Sequence, residues 1–212
     1  MKKLVFMVFI IFTISCVSNV AKIENYQNPQ KALLVIDMQI DYIGEDGKFT
    51  IVNNQIENLI INVNNIIKEF NANGYKIIYF RNVFRKNDFR NIFRNYTVIE
   101  GTLGVEIDPR INIVSEYIFD KYSVSAFSNN DFEQFLMENQ INELYLCGVM
   151  ADECVYETAL SAFNKGYKVN YYANAVGSSS IRNIEKAINK LERIGIMIIE
   201  YMKTGKNILR IS

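Results

Sequence analysis

Asp37, Lys121 and Cys154 are residue types that together could carry out nucleophilic chemistry through a thiolate. A thiolate is a nucleophile, and Cys154 falls in the first turn of an expected helix, where unpaired N–H groups and the helix dipole favour an anion. An ammonium nearby would favour that anion further, and a carboxylate could take the thiol proton. Asp37 and Lys121 supply both functions without an imidazole. This matters because the chain contains no histidine, which excludes a serine–histidine–aspartate triad and removes the commonest transition-metal ligand. Each residue also has a plain reading. Cysteine is among the most buried residue types, aspartate after a strand is a common turn residue, and a lysine there is commonly solvated. Spacing alone leaves both readings open.

Such side chains need elements to position them. Ala32–Ile36 is a continuous apolar run ending at Asp37, the mark of a parallel strand buried on both faces. Further strands are expected at Lys76–Phe80, Tyr117–Asp120, Leu144–Val149, Lys168–Ala173 and Ile196–Tyr201. Between them, Ile56–Phe70, Phe132–Asn139, Glu153–Lys165 and Ile184–Ile194 carry helical patterns, and Gly166 stands where a glycine closes a helix. Strand and helix alternating in this way predict an α/β fold. It has three α/β/α layers around a six-stranded, mainly parallel sheet of Rossmann-like order. Ligands bind such sheets beyond the carboxyl ends of the strands, where strand order reverses. Asp37, Lys121 and Cys154 all fall at such ends.

Half of the 212 residues are hydrophobic, enough for one domain with a sizeable core. The 23 basic and 23 acidic side chains balance, so charge points to no nucleic-acid partner. Lys2 and Lys3 precede the apolar run Leu4–Ile14, which is short of the roughly 20 residues that span a bilayer. A basic start and an apolar middle are the layout of a secretory signal. Thr13-Ile14-Ser15-Cys16 resembles a relaxed lipobox. Residues 1–21 are therefore expected to be a signal of lipoprotein type, with Cys16 lipidated, and residues 22–30 a tether to a domain over 31–212. The exported protein would meet a membrane only through that anchor. Ordinary cleavage near Ser18, giving a periplasmic or secreted soluble form, is the alternative. Cys147 lies in an apolar strand pattern and Cys154 beyond it, which favours one buried and one working thiol over a disulfide.

The local wording goes further. Leu34-Val35-Ile36-Asp37-Met38-Gln39-Ile40-Asp41-Tyr42 resembles the opening motif of the isochorismatase-like cysteine hydrolases, among them nicotinamidases and N-carbamoylsarcosine amidohydrolases. Gly101–Gly104 with Asp108-Pro109-Arg110, Asp120-Lys121 with Ser125-Ala126-Phe127, and Gly148–Val155 resemble that family's next three segments, in order. The resemblance implies an isochorismatase-like fold and hydrolysis of an amide, carbamoyl or ureido C–N bond of a small molecule through a thioester. Cys154 would be the nucleophile, Asp37 the proton acceptor and Lys121 the third member of the triad. It also implies a cis peptide at Val149–Met150 and an oxyanion hole from the Met150 and Cys154 N–H groups. Homo-oligomers follow by analogy, and no cofactor is implied. Gln39, Tyr42, Phe127 and Tyr156 flank the motifs and are candidate pocket walls.

Departures sharpen the expectation. Nicotinamidases of the family carry a metal site with histidines after the second strand. Arg81–Phe89 has none here, so no metal of that kind is expected. Isochorismatases proper lack the cysteine, so Cys154 argues against vinyl-ether hydrolysis. Arg81, Arg85, Arg90 and Arg94 alternate with Phe84, Phe89 and Phe93. This stretch reads as an amphipathic flap rather than a single-strand binder, and one of its arginines is a candidate holder of a substrate carboxylate. The competing function is an exported, lipid-anchored binding protein of the same fold without turnover.

Overall fold

The sheet is built outward from β1 (Gln30–Ile36), in which all five residues from Ala32 onward are buried. A strand this apolar needs cover on both faces. Ala32, Leu34 and Ile36 enter one core, and Leu33 and Val35 the other. The computed structural model describes residue 23 and residues 26–49, 51–202 and 209–210. The expected signal segment, with Cys16, lies outside the described residues. Of the stretch expected as a tether, Ile23 is buried in the core and Gln30 already belongs to β1.

β2 (Lys76–Asn82) and β4 (Ile141–Val149) flank β1 in parallel, so that Val35 lies opposite Tyr79 on one side and Cys147 on the other. With β3 (Ile118–Lys121), β5 (Lys168–Gly177) and β6 (Met197–Glu200), the order is β3-β2-β1-β4-β5-β6, all parallel. The six expected strands are present, and the two-residue β7 (Leu209–Arg210) adds an antiparallel pairing at the β6 edge. On one face lie α1 (Ile40–Ile43) and α2 (Asn53–Ala72), the latter burying Leu59, Val63, Ile66 and Phe70. The other face is covered by α3 (Asn130–Glu138), α4 (Cys154–Asn164) and α5 (Ile181–Arg193) through Phe132, Leu136, Val155, Ala159, Ile184 and Leu191.

Where element ends differ from expectation, local bonding explains them. The Asn129 side chain accepts from the Asp131 and Phe132 N–H groups at 2.9 and 3.3 Å, and Ser180 accepts from Asn183 N–H at 3.2 Å. These caps start α3 and α5 before the apolar stripes that reveal them in the sequence. β3 runs one residue later than expected because Lys121 pairs with Asn82 and its carbonyl accepts from Val83 N–H at 2.9 Å.

From β1 the chain steps out to β2 and β3, then crosses to β4 on the far side. Strand order therefore reverses between β1 and β4, which opens a crevice beyond their carboxyl ends. Gly148 has φ +118°, and a Cβ there would fall on the Ile36 carbonyl. Glycine lets β4 lie against β1 just where Asp37 begins.

Candidate active site

Asp37 leaves β1 with φ 54°, a left-handed conformation that aspartate tolerates better than most residues. Its N–H donates to the Phe80 carbonyl at 3.0 Å, tying the turn to β2. Lys121, the last residue of β3, is fully buried, and its Nζ lies 2.8 Å from Asp37 Oδ2. The same Nζ donates to Cys154 Sγ at 3.3 Å and to the Ser123 carbonyl at 3.1 Å. Three side chains from three strand ends thus meet around one ammonium.

The loop between β4 and α4 is held from several directions. Val149–Met150 is a cis peptide. Ala151 donates its N–H to the Gly177 carbonyl at 2.8 Å, and its carbonyl accepts from the Tyr171 hydroxyl at 2.9 Å. The Met150 carbonyl accepts from the N–H groups of Glu153 and Val155 at 3.1 and 3.0 Å, and the Ser178 hydroxyl donates to Asp152. Among the described residues, the Met150 and Cys154 N–H groups have no backbone acceptor in this loop.

Burial opposes the charge on Lys121, but Asp37 and then Cys154 outweigh it, and its pKa shifts upward; it is an ammonium. Burial raises Asp37, with Lys121 pulling the other way. Cys154 is pushed well up by burial and then by the Asp37 carboxylate, against the pull of Lys121. A thiol is harder to ionise beside an existing carboxylate in a dry site. Burial thus disfavours the Cys154 thiolate, with Asp37 and Lys121 acting on it in opposite senses. The ammonium favours the anion, as expected from the sequence, while burial and the adjacent Asp37 oppose it.

Of the trio, Cys154 lines a cavity of about 360 Å³. Met150 lines it too, with Tyr42, Phe49, Phe84, Phe93 and Tyr122 as aromatic walls and Asn82, Thr97 and Ser123 as uncharged polar ones. Its charged lining residues are Arg90, Arg94 and Glu153.

Of the four expected wall residues, Tyr42 lines this cavity. Gln39 is buried, and both ends of its amide are spent on backbone: Nε2 on the Asn82 and Val105 carbonyls (2.9 and 2.7 Å), Oε1 on Asn82 N–H (2.8 Å). Phe127 packs on Phe132 and Tyr167, with ring centroids 5.1 and 5.7 Å apart. Tyr156 packs against the core of the α4 face, beneath the Lys190 ammonium at 5.5 Å. These three are not among the residues lining the cavity; backbone hydrogen bonds or packing in the core occupy them instead. Sequence reading assigned no role to Asn82, Phe49, Thr97, Tyr122, Ser123 or Val124, which the cavity does use. Asn82 ends β2 only in the structure, two residues past the Phe80 expected from the sequence.

The arginine–phenylalanine stretch divides its work. Arg81 is held by Asp120 at 2.7 and 3.1 Å and by Glu106 at 2.9 Å, so it is structural. Arg90 and Arg94 share Asp88 at 2.7 and 3.2 Å, and the Arg94 guanidinium lies 3.8 Å from the Phe84 ring centroid. Two guanidinium groups against one carboxylate leave excess positive charge on this wall. Phe89 and Phe93 stand out from it, 76% and 85% exposed. The segment after β2 offers no imidazole or thiolate, and its one carboxylate, Asp88, is taken by Arg90 and Arg94, so these residues do not fit a metal ion there.

Comparison with known proteins follows the same lines. The family model described as "Isochorismatase domain" matches residues 31–201. An uncharacterized isochorismatase family protein named PncA, from Bacillus subtilis (strain 168), is 32% identical over 163 residues, covering 70% of this chain and 87% of that protein. The crystal structure of an isochorismatase-like hydrolase from Alkaliphilus metalliredigens superposes with a TM-score of 0.73 at 26% identity, over 80% of this chain and 94% of that one. A pyrazinamidase/nicotinamidase from Streptococcus mutans UA159 gives 0.69 at 28% identity, over 80% of this chain and all of that one.

Proposed function

This chain belongs to the isochorismatase family, and on that footing we propose that it is a cysteine-dependent hydrolase of small amides, carbamoyl or ureido compounds. The observation that carries the reading is the Lys121 Nζ, 2.8 Å from Asp37 and 3.3 Å from Cys154 Sγ, beside a cavity of small-molecule size. A binding role places no demand on all three groups.

The chemistry runs in two stages. Asp37 accepts the Cys154 proton as Sγ attacks the carbonyl carbon, and the carbonyl π pair moves to oxygen. Lys121 stays an ammonium and holds the two partners in line. The N–H groups of Met150 and Cys154 donate to the oxyanion, a contribution of roughly 3 kcal/mol per donor where such holes have been dissected. When the tetrahedral intermediate collapses, Asp37 returns its proton to the departing nitrogen and a thioester remains. Water then attacks the thioester carbon, gives its proton to Asp37 and releases the acid; the proton returns to Cys154. Arg90 and Arg94 on the cavity lining could each take a substrate carboxylate, with Glu153 as the opposing charge.

The test is ammonia release from a panel of primary amides and ureas, with Cys154→Ala as the blank. Release by the wild type alone supports the reading. Binding of panel members without any release would support a binding protein of the same fold.

A further inference from the structure

Asn82 is the last residue of β2, in register with Lys121, and only 3% exposed. Its backbone is clamped on both sides by the Gln39 amide, which donates to its carbonyl at 2.9 Å and accepts from its N–H at 2.8 Å. Its side-chain Nδ2 donates to the Tyr42 hydroxyl at 3.2 Å. The other end, Oδ1, has no hydrogen-bond partner among the described residues, yet Asn82 lines the same cavity as Cys154. A buried acceptor left unmatched is costly unless something in the cavity satisfies it.

We propose that Asn82 Oδ1 accepts an N–H from the nitrogen of the scissile bond, making Asn82 the residue that selects N–H-bearing amides and ureas over esters. This rests on the hydrolase reading above and adds the direction from which the leaving group is held. With Asn82 gripping one N–H from the β2 side, the nitrogen lone pair is left for the proton that Asp37 returns. Bond making and breaking are those already described; Asn82 forms only a hydrogen bond. An ester has no hydrogen to offer at that position, so it gains nothing from Oδ1 and leaves the acceptor unsatisfied.

The experiment uses the full chain with two probes: the primary amide turned over best in the panel, and the methyl ester of the same acid. The readout is the ratio of kcat/KM for amide over ester, in the wild type and in Asn82→Leu. Sites built to hydrogen-bond a substrate group discriminate strongly against analogues lacking it, so the ratio should fall about ten-fold or more. A purely structural role would lower both substrates together, and a ratio within two-fold of wild type overturns the inference. So would an Nδ2 facing the cavity, which would not favour the amide. Asn82→Ala, which removes the acceptor without adding bulk, gives the same readout should the leucine variant unfold below assay temperature. If the wild type shows no Cys154-dependent ammonia release, the hydrolase reading falls and this inference with it. If release is present and the ratio holds, only the role of Asn82 falls.

Discussion

Cys147 and Cys154 are both buried, both free and close in sequence, yet their surroundings differ in kind. Cys147 lies in mid-β4 with its sulfur 3.6 Å from the Leu34 carbonyl, and burial alone pushes its thiol up. Cys154 lies past the strand end, where Lys121 and Asp37 enter its environment and the cavity begins. Depth does not separate the two thiols. What separates them is their company: Cys154 has the Lys121 ammonium at 3.3 Å with Asp37 beside it, and Cys147 has a backbone carbonyl.

The largest expected difference is in turnover. Cys154→Ala should lower kcat by at least about a thousand-fold, since removing one member of a nucleophilic unit costs nearly as much as removing all of it. Cys147→Ala should leave kcat within about two-fold and lower the denaturant midpoint by a loss on the order of 1 kcal/mol, the size of a small core truncation. Equal losses in both variants would erase the distinction.

Next is the ion pair itself. Lys121→Met strands a fully buried carboxylate, which costs on the order of 3–5 kcal/mol in urea unfolding. Adding Asp37→Asn to Lys121→Met should restore most of that stability and no activity. If the double variant is no more stable than the single, Lys121 and Asp37 are not coupled as described.

The acid limb of the rate profile reports Asp37. Its pKa is raised by burial, so the carboxylate form needed to accept the thiol proton is lost at a higher pH than the ordinary value of 3.8. Activity in kcat/KM should therefore fall on acidification before that ordinary value is reached, and a flat profile down to it would contradict the role.

A smaller effect lies on the alkaline side, in stability. Cys147 and Cys154 titrate above their ordinary 9.0 in the folded chain, and Tyr79 is pushed up to about 12, in each case chiefly by burial. Above the ordinary values the unfolded chain loses these protons first. The stabilisation is therefore full below pH 9 and is lost as pH rises through the folded values. Thermal midpoints should decline in that range, and Cys147→Ala should make the decline shallower.

The remote wall should show the mildest effect. Arg94→Ala should raise KM for a carboxylate-bearing amide roughly ten-fold, the worth of one charge-assisted hydrogen bond, with a smaller change in kcat. An unchanged KM would remove the carboxylate proposal.

The same contrast explains what the sequence could disclose. Strands such as Ala32–Ile36 were legible because a run buried on both faces cannot alternate, and the ends of those runs named Asp37 and Cys154. β3 ended one residue late, yet Lys121 was already marked, because its motif is local. The cavity walls were largely illegible. Phe49, Thr97 and Tyr122 come from separate loops and meet only through tertiary contacts that leave no period in the sequence. Gln39 was misplaced for a related reason: a polar residue two positions after Asp37 suggests a site, and only coordinates reveal that backbone groups exhaust its amide. The upward push of burial on the Cys154 thiol was hidden too, since desolvation depends on depth.

Iodoacetamide labelling of the folded chain, followed by peptide mapping, tests the distinction between the thiols most directly and needs no substrate. Cys154 should be alkylated to one equivalent at neutral pH, faster as pH rises, while Cys147 is untouched until the chain unfolds. Equal slow labelling of both, or Cys147 reacting first, would contradict the assignment of Cys154 as the nucleophile.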